Sequence, residues 1–262
     1  MSRLGQRIAD KRVRWIIRRF LQAGVMENAE LTATTEGAPQ GGPLSPLLAN
    51  LVLDELDKEM ERRGLRFVRY ADDCNVYLRS ERAASNAFEN LTGFIEGKMK
   101  LKVNCAKSAV DRPWARKLLG SSFLPGKGAK RRIAPKALAK AKERIRELTK
   151  IGRFNFEAIM AQLNRYLVGW LGYFRFCQTP SVLKELETWT RRRLRHLIWR
   201  QWKCGSTRFS ELVKRGANRE DAAKLAGSSH GSWHNSRTPL LSLVFPNAWF
   251  ASYGLPPFNV SS

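Results

Sequence analysis

Apolar positions recur along this chain with two different periods, and the change of period divides it. Over residues 4–22, Leu4, Ile8, Val13, Ile16, Ile17, Phe20 and Leu21 mark one side of an amphipathic helix, and Gly24 offers a stop. An extended stretch, Glu30 to Glu36, leads into a Gly/Pro cluster at 37–43. Ser45-Pro46 then reads as an N-cap followed by proline in the first turn. The following helix should run from Pro46 to about Arg63, burying Leu48, Leu51, Val52, Leu56 and Met60, with Gly64 as its stop. The period then shortens. Two β-rich runs, Arg66–Tyr70 and Cys74–Arg79, flank Ala71-Asp72-Asp73, which is a hairpin pattern. Residues 81–99 return to helical spacing, and Leu101 to Val110 suggest a strand and a turn.

Beyond residue 110 the pattern becomes basic and helical. Lys127, Lys130, Arg131 and Arg132, interleaved with glycines, suggest a solvated loop. Three helices are predicted at Pro135–Lys150, Phe154–Phe176 and Ser181–Lys203. Leu163, Leu167, Trp170 and Phe174 face inward on the second; Leu183, Leu186, Leu194, Leu197 and Ile198 do so on the third. The tail from Ser228 reads as loop-rich. Trp233, Leu240, Leu241, Val244, Phe245, Trp249 and Phe250 make it too apolar for a disordered arm, so it should pack back on the body. The expected divisions are 1–124, a basic linker at 125–134, a helical region at 135–215 and a packing tail at 216–262.

Charge sharpens this division. The 262 residues carry 47 Lys+Arg and 23 Asp+Glu, a formal +24. Residues 1–99 hold 15 cations and 14 acids, so nearly the whole excess, +23, belongs to residues 100–262. A surface that basic selects a polyanion, nucleic acid by default. Arg191, Arg192, Arg193, Arg195, Arg200 and Lys203 crowd the third predicted helix, where acids are too scarce to pair them, and are candidate RNA contacts. If about 6–10 cations meet phosphates, affinity should fall about 10³–10⁵-fold between 50 and 200 mM salt. No apolar run is long enough for a membrane span, and the N-terminus has no signal-peptide core, so the expected setting is cytoplasmic and without membrane partners. Cys74, Cys105, Cys177 and Cys204 are scattered without a CxxC, against a disulfide framework or zinc ribbon. His230 and His234 form an H-x3-H pair in a Ser/Gly/Asn-rich setting that reads as a loop.

Adjacent Asp72 and Asp73 repel one another unless a cation sits with them. Mg²⁺ takes hard oxygen ligands, commonly one or two carboxylates plus substrate phosphates. A bare Asp-Asp dipeptide is most often only a turn. Its surroundings alter that reading. GAPQGGPLSPLLANLVLDELD at 37–57, YADD at 70–73, Lys107 and Leu119-Gly120 occur in an order that resembles the reverse transcriptase palm. More specifically, they resemble the reverse transcriptases of bacterial group II introns. LNRYLVGWLGYF at 163–174, WTRRRLRHLIWRQWK at 189–203 and the closing SRTPLLSLVFPNAWFASYGLP at 236–256 are similar to the maturase, or thumb, region and C-terminus of those proteins.

The resemblance implies an α+β fold: a partial palm, an antiparallel sheet with helices, followed by a helical thumb. It implies RNA-directed DNA polymerase (nucleotidyltransferase) chemistry with maturase activity. Asp72 and Asp73 would be catalytic and bind Mg²⁺. Gln40, Gly41, Gly42 and Lys107 would meet the incoming nucleotide and template, and Leu119 and Gly120 the primer. The implied partners are group II intron RNA, a DNA primer or target and deoxynucleotide triphosphates. The family's earlier palm motif, roughly Asp-x-Lys-x-x-Phe-Asp, has no counterpart before Gly37, and the fingers motifs are absent as well. The expectation is therefore a truncated or split form completed by an N-terminal half or by self-association, whose activity alone is in question. The alternative is a non-catalytic maturase-like protein that assists splicing.

Overall fold

The computed structural model describes residues 1–22, 25–27, 30–32, 42–126, 128–150 and 155–258. They form two compact units, Met1–Arg112 and Pro113–Ser262. The fold is α+β, dominated by helices, with three two-stranded antiparallel sheets among the described residues.

The first unit opens with two helices where periodicity predicted one. Helix α1 spans Ser2–Arg7 and α2 spans Lys11–Gln22. Asp10 causes the break. Its carboxylate accepts from the backbone N–H of Arg12 at 2.7 Å and of Val13 at 3.4 Å, so it caps a fresh start. Strands β1 (Val25–Glu27) and β2 (Glu30–Thr32) pair antiparallel.

Helix α3 runs Ser45–Arg62, beginning at Ser45 itself, with Leu44 in the cap position. It ends on a Schellman turn. Gly64, at φ +66°, donates to the Glu61 carbonyl, and Leu65 N–H donates to the Met60 carbonyl. Strands β3 (Arg66–Tyr70) and β4 (Asp73–Tyr77) then form a hairpin in the register Tyr70↔Asp73 to Arg66↔Tyr77. Helix α4, Glu81–Gly97, follows, capped by the Ser80 hydroxyl. Leu56, Met60, Leu91 and Met99 are the core of this unit, and Phe67, Cys74 and Val76 of the hairpin pack on it.

Residues 101–110 make no strand. Asn104 turns the chain instead: its side chain and carbonyl both accept from Lys107 N–H, and the carbonyl also accepts from Ser108 N–H. Backbone groups satisfied so locally have no need of a ladder.

The second unit begins with a small ribbon, β5 (Ser121–Phe123) against β6 (Arg131–Ile133). The loop expected around Lys130–Arg132 is thus partly a strand, because Ile133 and Ala134 are buried at its end. Lys127 lies outside the described residues. Helices α5 (Pro135–Leu148), α6 (Phe156–Tyr173) and α7 (Pro180–Gln201) follow near their predicted bounds.

Helices α8 (Gly205–Lys214) and α9 (Arg219–Ala226) come next, and the tail from Ser228, expected to be loop-rich, holds three short helices, α10 (Ser232–Asn235), α11 (Pro239–Val244) and α12 (Asn247–Ser252). Its apolar residues pack as the composition demanded. Leu241, Phe245 and Phe250 are fully buried in one cluster with Leu163, Leu167, Leu186, Leu194 and Leu212. Burying a side chain of that size contributes about 1.5–3 kcal/mol. Asn164 of α6 donates to the Tyr253 carbonyl at 2.6 Å and fixes the end of the tail.

Candidate functional site

The hairpin turn presents Asp72 and Asp73 to solvent; both residues are exposed, as are Tyr70 and Ala71. Tyr70 and Asp73 close the ladder, so Ala71-Asp72 is a two-residue turn, and Ala71 takes φ +53° to make it. A clamp holds this turn. Arg69 donates to both carboxylate oxygens of Asp57 on α3, at 2.7 and 2.5 Å. Its Nη1 reaches the Asn50 side chain at 2.9 Å and the Ala71 carbonyl at 2.8 Å. The pair is mostly shielded, with side chains 13% and 24% exposed, and the hydrogen bond that Arg69 donates to Asp57 raises its pKa. The carbonyl next to Asp72 is thereby tethered to α3.

Below the clamp one side of the hairpin, Phe67, Cys74 and Val76, is half-buried against the core of the unit. The Cys74 thiol lies 3.9 Å from the Met60 sulfur, and burial pushes its pKa up to about 11. The acids are thus carried on an apolar base with their carboxylates in water. Sequence reasoning missed Arg69 and Asp57. The available signal was an arginine at an inward position of β3, which requires a carboxylate partner.

Donor chemistry limits what this turn can hold. Two carboxylates suit one hard divalent ion completed by water and phosphate oxygens. Among the described residues no three His, Cys, Asp or Glu side chains gather as a metal site. His230 and His234 stack with ring centroids 4.2 Å apart; His230 lies in the expected loop, and His234 in the short helix α10 that follows it.

The other predicted site residues are dispersed. Gln40 and Gly41 lie outside the described residues. Gly42 is half-buried and accepts from Ser45 N–H at the turn that enters α3. Lys107 is exposed in the Asn104 turn. Leu119 and Gly120 belong to the second unit and form a tight turn there, with φ +50° and +75°. Leu118 and Ser121 exchange both hydrogen bonds across it at 2.9 Å. The Tyr173 hydroxyl donates to the Leu119 carbonyl at 3.0 Å.

The arginines of α7 do not simply face water. Arg191 pairs with Glu187 at 2.7 Å. Arg192 stacks 4.1 Å over Trp233 and donates to its carbonyl at 2.9 Å. Arg193 donates to Thr149 at 3.2 Å, and Arg195 to the Phe245 carbonyl at 3.2 Å. All four are half-buried, whereas Arg200 and Lys203 are exposed. Burial lowers the pKa of Arg192, Arg193 and Arg195, though a guanidinium stays cationic. Elsewhere in this unit Phe176, 55% exposed, lies between the Arg131 and Arg175 guanidiniums at 5.4 and 4.6 Å.

Residues 3–123 match the reverse transcriptase (RNA-dependent DNA polymerase) family model, and residues 138–216 match the group II intron maturase-specific domain. The chain thus matches, in that order, a reverse transcriptase model and a group II intron maturase-specific model, an arrangement consistent with a group II intron reverse transcriptase/maturase. It is 46% identical over 63 residues to the group II intron-encoded protein LtrA of Lactococcus lactis subsp. cremoris, covering 24% of this chain and 10% of that one. Protein YkfC of Escherichia coli strain K12 is 27% identical over 144 residues, 42% of this chain and 38% of the relative. The putative COX1/OXI3 intron 2 protein of Saccharomyces cerevisiae is 32% identical over 93 residues, 35% and 10% respectively. These matches span well under half of each relative's length.

Proposed function

We propose that this chain is an RNA-binding reverse transcriptase/maturase of a group II intron, and that Asp72 and Asp73 are two of the carboxylates of its polymerase centre. The observation that carries the reading is the exposed acid turn tethered to α3 by Arg69. Mg²⁺ bound there would polarise phosphate oxygens of a deoxynucleotide triphosphate and the primer hydroxyl. Asp72 and Asp73 would hold it, while Gly42, Lys107 and the Leu119-Gly120 turn serve nucleotide, template and primer. Arg200, Lys203 and the cations flanking Phe176 would meet RNA phosphates.

A second reading has its own support. Two-ion in-line displacement asks for more acid than two adjacent aspartates supply, and the described residues gather no third ligand. On this reading the protein is maturase-like: it binds intron RNA and assists splicing without DNA synthesis.

Two assays separate these readings. Purified protein with primer, RNA template, deoxynucleotides and Mg²⁺ is expected to extend poorly. Extension that is robust and abolished by Asp72→Ala assigns the full polymerase to this chain. Group II intron splicing that survives Asp72→Ala places the residual function in RNA binding, and absence of both RNA binding and extension refutes the proposal.

A further inference from the structure

Helix α2 is the most basic element of a unit whose charges otherwise nearly cancel. Its sequence, KRVRWIIRRFLQ, holds five cations and no acid. The arginines of neighbouring α1 are neutralised: Arg3 pairs with Glu55 at 2.7 Å and Arg7 with Asp54, both on α3. Among the described residues no ion pair holds Lys11, Arg12, Arg18 or Arg19. Asp10, the acid next to them, is spent on capping backbone amides.

Helical spacing sorts the rest. Ile17 is buried, and Phe20 and Leu21 are half-buried, so one side turns into the unit. Positions 11, 15, 18 and 19 share the opposite side. Trp15 stands in the middle of that basic face, 58% exposed, with the Arg19 guanidinium 4.9 Å from its ring centroid. A large aromatic left in water costs solubility unless something covers it. A helix that lies on lipid carries its aromatics on the apolar side. Here the positions one helical turn from Trp15 are Lys11, Arg12, Arg18 and Arg19, with Arg19 on the indole itself and the exposed Ile16 beside it; single strands stack bases on such an aromatic while phosphates meet Lys and Arg.

We propose that the outer face of α2 is a polynucleotide contact in its own right, with Trp15 stacking one base of a single strand and Lys11, Arg18 and Arg19 meeting the adjacent phosphates. The inference rests on the nucleic-acid-binding reading above and adds to it a base-stacking site in the acid-bearing unit. Stacking on indole reads the base rather than the sugar, so RNA and DNA strands of one sequence should share the site.

The test uses the full chain and labelled oligoadenylate 12-mers, in RNA and DNA versions, with inorganic polyphosphate as a base-free competitor. Trp15→Ala should weaken binding of both strands by about 5–100-fold. Trp15→Phe should recover most of the loss, and polyphosphate should compete equally with all three proteins. The double variant Arg18→Gln/Arg19→Gln should lower the salt slope by about 1–1.5. Cross-linking with 4-thiouridine-substituted RNA, followed by trypsin, should place an adduct on the peptide Trp15–Arg18. Adducts confined to peptides of residues 113–262, together with unchanged binding by Trp15→Ala, overturn the inference and leave the RNA-binding reading standing. So does a Trp15→Ala loss seen with anionic phosphatidylglycerol vesicles and not with the 12-mers. A wild-type chain that binds neither the 12-mers nor intron RNA removes both.

Discussion

Arg69 and Asp57 form a two-pronged ion pair, 2.7 and 2.5 Å, between strand β3 and helix α3, and the same guanidinium holds the Ala71 carbonyl at 2.8 Å. One side chain thus fastens the hairpin to its helix and fixes the peptide that leads into Asp72. Asp57→Asn or Arg69→Leu should lower stability by about 1–3 kcal/mol in urea unfolding. Arg69→Lys should not rescue it, because an ammonium cannot bridge both oxygens and a carbonyl in one plane. A midpoint unchanged by Asp57→Asn would show that the pair contributes nothing to the unit.

Gly120 leaves a side chain little room. Its φ is +75°, and a Cβ there would sit 3.2 Å from the Phe174 ring. Gly120→Ala should therefore cost about 1–2 kcal/mol and lower Tm. Gly64→Ala meets an equally left-handed backbone, φ +66°, but open space, and should cost no more than the backbone penalty. Comparing the two melts separates crowding from conformation.

The α7 arginines should divide by readout. Arg195→Ala loses a hydrogen bond to the Phe245 carbonyl and a stack 5.6 Å from the Phe250 ring, and should cost about 1–2 kcal/mol. Arg200→Ala, at an exposed position, should leave Tm alone and reduce only the salt dependence of RNA binding. Equal thermal shifts from both would contradict the internal role of Arg195.

Two thiols should titrate far apart. The Ser206 and Thr207 hydroxyls lower the exposed Cys204 thiol to about 7, whereas burial raises Cys74 to about 11. At that value Cys204 is about half thiolate at neutrality and mostly thiolate a unit above it. Cys204 alkylation by iodoacetamide should thus rise steeply through pH 7, with Cys74 unlabelled until the unit unfolds. Peptide mass spectrometry over pH 6–9 measures both.

Glu59 binds Arg62 and Arg63, which hold its pKa at about 2 against an ordinary 4.5. A carboxylate depressed in the folded state stabilises above the unfolded value. That contribution is lost as pH falls through 4.5 towards 2. The advantage of wild type over Glu59→Gln should be present at pH 7, small because the paired Arg62 is exposed, and should shrink steadily between pH 4 and 2.5. Urea midpoints at pH 7, 4 and 2.5 give the comparison.

Much of this architecture was readable from spacing alone. The inward leucines of α6 and α7, the hairpin around Asp72-Asp73 and the stop at Gly64 follow from period and turn chemistry, which act locally. The failures share a cause. Asp10 split a helix through its own side chain, and Asn104 consumed the backbone bonds of an expected strand. Short polar residues can outbid an apolar pattern in this way. The tail helices α10–α12 are short and gain their stability from tertiary packing, which periodicity does not register. The candidate site was legible in its acids and illegible in their support, since Arg69 and Asp57 lie 12 positions apart and meet only in the fold.

Among the described residues strands β3 and β4 pair with each other and with no third strand. Each therefore turns a row of amides outward, away from any ladder. Those amides should be among the first in the unit to take up deuterium. The acids at the tip of so narrow a ribbon ride on a lever seated on Phe67, Cys74 and Val76 and pinned near its end by one guanidinium, and the turn will be as steady as those two supports together.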